Sequence, residues 1–333
     1  MLGSADAANS GSAAPGLQRA SAPESDATTW LRRMGDASLH VSFEGVIARS
    51  GGRRPSSARI AHHGDGRNVV ERIEALDGPP RVVFRHNDQL KTVWPERRHA
   101  VIGTQHSTAS LASALRAADT QLLRHYEASV EGRDRVAGRV ARVLVLRPRD
   151  EWRLGHRFWA DEATGLLLRA EVLSADGQVL AWSMLASVDI GLTPRVERLL
   201  EDMRHDAGLS VQHVRTARID PSGTGWRVGL LPPGFRLAEA VNRVASDGVA
   251  DASAAPGRQA PDMLQLVFFD GLAHVSVFIE PFDAARHRRE GQVATGATHT
   301  LLRRSGSWWL TAVGDVPPAT LQALLTALRR EAP

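Results

Sequence analysis

Three strand-forming runs joined by short turns constrain the fold of this chain more than any other feature. "RLGHRFWA" runs into "DEATG", "LLLRAEVL" runs into "SADGQ", and "VLAWSMLASVDI" closes the series. Asp-Gly between apolar runs is a strong short-range hairpin signal. Consecutive hairpins build an antiparallel sheet, because a parallel pair needs a crossover of a dozen or more residues. In the last run Leu180, Trp182, Met184, Ala186, Val188 and Ile190 alternate. That spacing predicts one shared apolar face.

The same signal recurs upstream. "RIAHHGDGRNVVERIEALDG" (Arg59 to Gly78) reads as strand, turn, strand, turn, with Gly64-Asp65-Gly66 supplying turn residues. "LHVSFEGVIAR" places Leu39, Val41 and Phe43 on one side and then breaks at Gly45, and "RVVFRH" and "QLKTVW" form a hairpin ended by Trp94-Pro95. Helical spacing predicts a short helix over Thr28 to Ser38. A long one runs from Ser107 to Ser129, carrying Leu111, Leu115, Ala118, Leu122 and Tyr126 on one face. Many hairpins and few helices predict an α+β fold, a mostly antiparallel sheet with a helix across it. Thr193 to Gly208 reads as a linking helix, followed by a polar stretch. Strand runs resume with "FRLAEAVNR", "MLQLVFFDG", "AHVSVFIEP", "THTLLRRSG" and "SWWLTAVGD". "PPATLQALLTALRR" ends the chain as a helix with Leu321, Leu324, Leu325 and Leu328 inward. The expected division is a tail at 1–26, a large first domain at 27–192, a linker at 193–224 and a smaller α+β domain at 225–333.

No chemical motif interrupts this pattern. The chain lacks cysteine, which excludes disulfides and thiol catalysis. It has no GxxxxGK[ST] loop, GxGxxG fingerprint, GxSxG elbow or HExxH pair. His62 and His63 are adjacent, so in a strand they point to opposite sides and do not share a metal. Asp161 and Glu162 lie in a turn, where exposed acids are common. Lys91 is the only lysine, and arginine supplies the other basic side chains, which lifts the pI to about 10.6 at a net charge of only +4. No long basic stripe with interleaved aromatics points to nucleic acid. No run is long and apolar enough to span a membrane. The residues therefore predict no cofactor, metal or catalytic site. Two readings stand for Trp94, Leu111, Leu115, Leu122, Tyr126, Phe158, Trp182 and Met184: ordinary packing of helix on sheet, or the lining of an acyl-chain cavity. Arg286, Arg288, Arg289 and Arg303 are either solvated or contacts for an anionic headgroup or peptide, and Trp308 and Trp309 are packing residues or interface anchors.

The ordered blocks "SFEGVI", "RIAHHGDGRNVVERIEALDGPPR", "RFWADEATGLLLRAEVLSADGQVL", "LLPPGF", "FFDGLAHVSVFIEP" and "HTLLRRSGSWWLTAVGDVP" carry a family resemblance. From about Trp30 onward the chain resembles the RseB/MucB family, periplasmic regulators of the envelope-stress sigma factor sigma-E (AlgU). The resemblance implies a first domain like the lipoprotein carriers LolA and LolB, a half-barrel with helices over an apolar cavity. It implies binding to the periplasmic domain of the anti-sigma factor RseA/MucA, which is thereby shielded from regulated proteolysis, with lipopolysaccharide or another acyl-chain ligand relieving the shielding. A homodimer is an open alternative, and a periplasmic lipid or lipoprotein carrier is the alternative function. The family carries a signal sequence; "MLGSADAANSGSAAPG" lacks the basic and apolar regions of one, as a trimmed chain would.

Overall fold

The computed structural model describes residues 24–52, 54–104, 115, 120–192, 195–245 and 263–330. Helix α1 (Glu24–His40) precedes strands β1 (Phe43–Ser50), β2 (Ser56–Gly64), β3 (Val69–Ala75), β4 (Val82–His86), β5 (Gln89–Trp94) and β6 (His99–Thr104). After α2 (Thr120–His125) come β7 (Tyr126–Val136), β8 (Arg139–Pro148), β9 (Gly155–Asp161), β10 (Leu167–Leu173) and β11 (Val179–Ile190). Helix α3 (Val196–Arg204) and β12 (Ser210–Arg218) lead into β13 (Trp226–Val228), β14 (Arg236–Ala245), β15 (Met263–Phe269) and β16 (His274–Pro281). The chain closes with β17 (Gly291–Thr295), β18 (Thr298–Ser305), β19 (Trp308–Gly314), α4 (Pro318–Ala327) and β20 (Leu328–Arg330).

Eighteen of these strands form one open sheet. Its spatial order, read from the pairings, is β7-β8-β9-β10-β11-β1-β2-β3-β4-β5-β6-β12-β14-β15-β16-β19-β18-β17. Only β6 and β12 run parallel; the other pairs are antiparallel. On one face of the first half, α1 buries Trp30, Leu31 and Met34 against Leu144, Leu146 and Phe158. On the other, α3 turns Leu199 and Met203 inward. In the second half α4 buries Leu321, Leu324 and Leu325 against Leu310, Ala312 and Val277. Each face is closed by the periodicity that predicts it.

Several sequence expectations change. Leu39 belongs to α1, not to a strand, and β1 runs unbroken through Gly45. A Cβ at Gly45 would stand 2.3 Å from the Ser187 carbonyl oxygen, so glycine permits close pairing rather than ending the strand. Tyr126 opens β7 instead of closing a helix, since Tyr126 and Ala128 already alternate inward at period two. Leu115 and Thr120–His125 are helical as expected; the other positions of the expected long helix up to residue 119, Leu111 among them, lie outside the described residues, as do most of the expected N-terminal tail and the expected loop at 247–262. The polar stretch after α3 forms β12, which pairs with β6 through His213 and with β14 from Val214. "GQVAT" forms β17, a strand without apolar alternation to announce it. Leu328 is buried, but on β20 beyond the end of α4.

The expected single face of β11 is split. Val46 pairs with Ser187 and Ile47 with Leu185, leaving Ala186 as a bulge. The extra residue reverses the alternation. Val188 and Ile190 therefore share a face with Leu185, and Trp182 and Met184 take the other, while a second shift opposite Val172 and Leu173 leaves Leu180 in a bulge of its own.

Candidate functional site

Directly paired residues share a face, so the registers assemble the inner surface beside α1. Ile47 pairs with Leu185, Gly45 with Ile60, and Ala170 with Ser183. Phe43, Ile47, Ile60, Ala170, Ser183 and Leu185 line a pocket of about 120 Å³. A polar row continues from it across four strands: Phe43 pairs with His62, His62 with Glu71, and Glu71 with Arg85. The Phe43 and His62 rings stack at 5.0 Å. His62 Nδ1 lies 2.8 Å from Glu71 Oε1, and Arg85 Nη1 donates to Glu71 Oε2 at 3.3 Å. Burial disfavours the Glu71 charge, but the hydrogen bond from His62 and the charges of His62 and Arg85 hold the carboxyl below its ordinary range. The Nε2 of His62 is buried without a hydrogen-bond partner among the described residues. His63 points away and meets Ser42 Oγ at 3.1 Å. Asp65 shapes the turn, accepting from the backbone N–H groups of Asn68 and Arg67, and these bonds lower its pKa to about 2. The motif also receives the end of α1: the Gly66 N–H donates to the Leu39 carbonyl. The arrangement can hold an apolar group and a polar one side by side.

A second constellation joins the two halves. Arg153, on the loop between β8 and β9, donates through Nε to Asp270 Oδ2 at 2.9 Å, and both side chains are fully buried. Its Nη1 donates to Asp150 Oδ2 at 2.8 Å and its Nη2 to the Pro233 carbonyl at 2.6 Å. The guanidinium lies between the rings of Tyr126 and Phe235. Asp270 is occupied on its other oxygen by the backbone N–H groups of Leu272 and Ala273. The Thr320 hydroxyl donates to the Trp152 carbonyl at 2.7 Å beside this knot. Sequence reasoning missed it, because its members lie up to 120 positions apart and only Arg153 next to a tryptophan hints at a buried charge.

The proposed cavity residues do not converge. Leu115, Leu122, Tyr126 and Phe158 lie in one closed core with α1, Phe269 and Leu272. Met184 borders the apolar pocket. Trp182 is partly buried on the opposite face, and Trp94 stacks on His99 at 5.8 Å. The arginine and tryptophan candidates divide as well. Arg303 and Trp308 face α4, where Arg303 meets the Thr326 hydroxyl and Trp308 packs edge-on against Trp226. Trp309 faces the other way, buried under His287, whose ring stacks on it at 4.8 Å. Arg286 pairs with Glu280 at 3.1 Å, and Arg288 and Arg289 are exposed. Asp161 corrects the picture of exposed turn acids. It is buried, held by two bonds from Arg139 and by the Thr164 N–H and hydroxyl.

Comparison with known proteins fits this two-part chain. Residues 26–203 match the MucB/RseB N-terminal domain and residues 220–329 the MucB/RseB C-terminal domain. The sigma factor AlgU regulatory protein MucB of Pseudomonas aeruginosa is 31% identical over 316 residues, covering 92% of each chain. The sigma-E factor regulatory protein RseB of Haemophilus influenzae is 22% identical over 310 residues, covering 93% of each. Among solved structures, the Pseudomonas aeruginosa MucA/MucB complex is similar with a TM-score of 0.67 at 27% identity, covering 92% of this chain and 100% of that one. A crystal structure of MucB is similar with a TM-score of 0.63 at 26% identity, covering 92% of this chain and 98% of that one. With both family domains matched in order along most of its length, the chain belongs to the MucB/RseB family.

Proposed function

We propose that this chain is a periplasmic regulatory binding protein. It binds the periplasmic part of a membrane-spanning anti-sigma factor of the RseA/MucA kind, shields it from regulated proteolysis, and so restrains the envelope-stress sigma factor. The observation that carries the reading is the likeness, along 92% of this chain, to MucB solved in complex with MucA. Residues 27–192 and 225–333 act as two units, with β12 stitched into both. A pull-down with the periplasmic segment of the anti-sigma factor from the same genome tests it. Retention of the segment and its protection from protease are expected; free, cleavable segment refutes the reading.

The finer part is a lipid switch in a helix-covered half-barrel. The pocket beside Phe43 is about 120 Å³, smaller than the roughly 300 Å³ at which ligand pockets usually begin. An acyl chain therefore enters by opening the strands around it, which ties occupancy to shape. Lipid then weakens anti-sigma binding by its differential affinity for the opened form. Tryptophan fluorescence and segment titrations with and without lipopolysaccharide test this; unchanged affinity at saturating lipid removes the switch. The pocket also supports a lipid carrier as the second reading. The buried Arg153 junction favours the first, since carrying a lipid in the first unit requires no rigid union with the second.

A further inference from the structure

Among the described residues the great sheet has two end strands, β7 and β17, each paired on one side only. An end strand offers a row of free N–H and C=O groups to any extended chain, and folded proteins protect such edges with charge, bulges and cover. Strand β7 has all three. Its register slips between Val130 and Gly132, with Gly132 at φ 129°. It carries Glu127, Glu131, Arg133, Asp134 and Arg135, and Ala128 packs in the core formed with α1. Strand β17, "GQVAT", has neither charge nor bulge, and another segment approaches it only at its turn end, where Gly51 and Gly52 lie against Gly296 and Thr295. Its register with β18 is unbroken, it has no charge and no proline, and all five residues are exposed, Val293 by 55%.

The register says which groups are free. Thr295 pairs with Thr298 across the two-residue turn Gly296-Ala297, which makes that pair hydrogen-bonded. Val293 with Thr300 and Gly291 with Leu302 repeat the pattern two residues on. The intervening Gln292 and Ala294 therefore aim their N–H and C=O groups away from β18, at the open edge. Arg288 and Arg289, just before the strand, are exposed and make no hydrogen bond or ion pair with the described residues. Glu290 beside them is engaged, accepting from the Arg304 N–H at 2.9 Å. Glu290 keeps its negative charge, so the stretch Arg288-Arg289-Glu290 carries a net positive charge at the entrance to this edge.

We infer that β17 is a docking edge for an extended acidic segment of a polypeptide partner, which adds a strand to the sheet while its carboxylates meet Arg288 and Arg289. This rests on the proposed function, which makes the partner an anti-sigma periplasmic segment, and it names where part of that segment lies.

The test uses the full chain and the periplasmic segment of the anti-sigma factor from the same genome. Hydrogen exchange at the Gln292 and Ala294 amides slows on binding. Ala294→Pro, which removes an outward N–H that an edge strand can spare, weakens binding tenfold or more with an unchanged circular dichroism spectrum. Arg288→Glu with Arg289→Glu weakens it further at low salt than at high salt. If the wild-type chain binds while both amides stay fast and Ala294→Pro binds normally, the edge is not used, and the proposed function survives. Protection that grows with protein concentration alone assigns the edge to a second copy and overturns the inference. A wild-type chain that binds nothing removes the proposed function and this inference together. Should Ala294→Pro fail to fold, amide protection decides alone.

Discussion

Two buried basic side chains carry more of the stability than their number suggests. Lys91, the single lysine, is 1% exposed and donates to the Met203 and His205 carbonyls and to Asp206 Oδ1 at 2.6–2.8 Å. It closes the carbonyl end of α3, where cations are favoured. Lys91→Met is expected to cost roughly 3 kcal/mol, because it leaves these acceptors unsatisfied. Lys91→Arg does not restore it, since a planar fork does not replace a compact ammonium; urea unfolding checks both. His156 stacks on Phe158 at 5.8 Å and its Nε2 is buried without a partner among the described residues. Burial lowers its pKa from 6.5 to about 4. Above pH 6.5 the ring is neutral whether folded or unfolded, and its contribution is fully present. As pH falls from 6.5 to about 4, the unfolded chain takes up a proton that the folded chain refuses, so stability drops, by at most about 3 kcal/mol. His156→Leu should flatten the stability profile over that window, and an unchanged slope would contradict the assignment.

The elements that could be read from sequence are those with a strong turn at each end. Asp65-Gly66, Asp161 to Gly165 and Asp176-Gly177 mark β2–β3, β9–β10 and β10–β11, and each pair forms as expected. What periodicity could not show was a single inserted residue. The Ala186 bulge leaves the sequence alternation intact but reverses the face beyond it. Strands β12 and β17 escaped because polar residues in a sheet edge or seam look like loop. Gly45 misled for the opposite reason, resembling a turn while serving a close strand contact. Gly45→Val should push a side chain into the Ser187 carbonyl, separate β1 from β11 and destabilise by roughly 1–3 kcal/mol. Thermal unfolding measures this, and a stability equal to wild type would show that the pairing tolerates the added bulk. The site was legible only in part: the His62 hairpin was found, and its partners Glu71 and Arg85 follow from register, which sequence alone does not supply.

At the scale of the molecule, the two halves share one sheet through β12 and one buried charge knot at Arg153. The knot predicts a specific energetic pattern. Arg153→Met leaves Asp270 buried and unpaired and is expected to cost about 3–5 kcal/mol; pairing it with Asp270→Leu recovers part of that loss, because the desolvated charge is gone. A double variant no better than the single one by denaturant unfolding would place the strain elsewhere. Union of the halves through β12 and Arg153 suits the proposed binding of another chain. Function could not be read from composition or from any catalytic motif; it emerged from the order of family blocks across both halves. The most direct test is calorimetric titration of the full chain with the periplasmic segment of the anti-sigma factor from the same genome. Saturable binding with a Kd at or below roughly 1 μM, near 8 kcal/mol of binding free energy, is the expected result. No measurable binding by a folded chain at concentrations of about 100 μM would contradict the assignment.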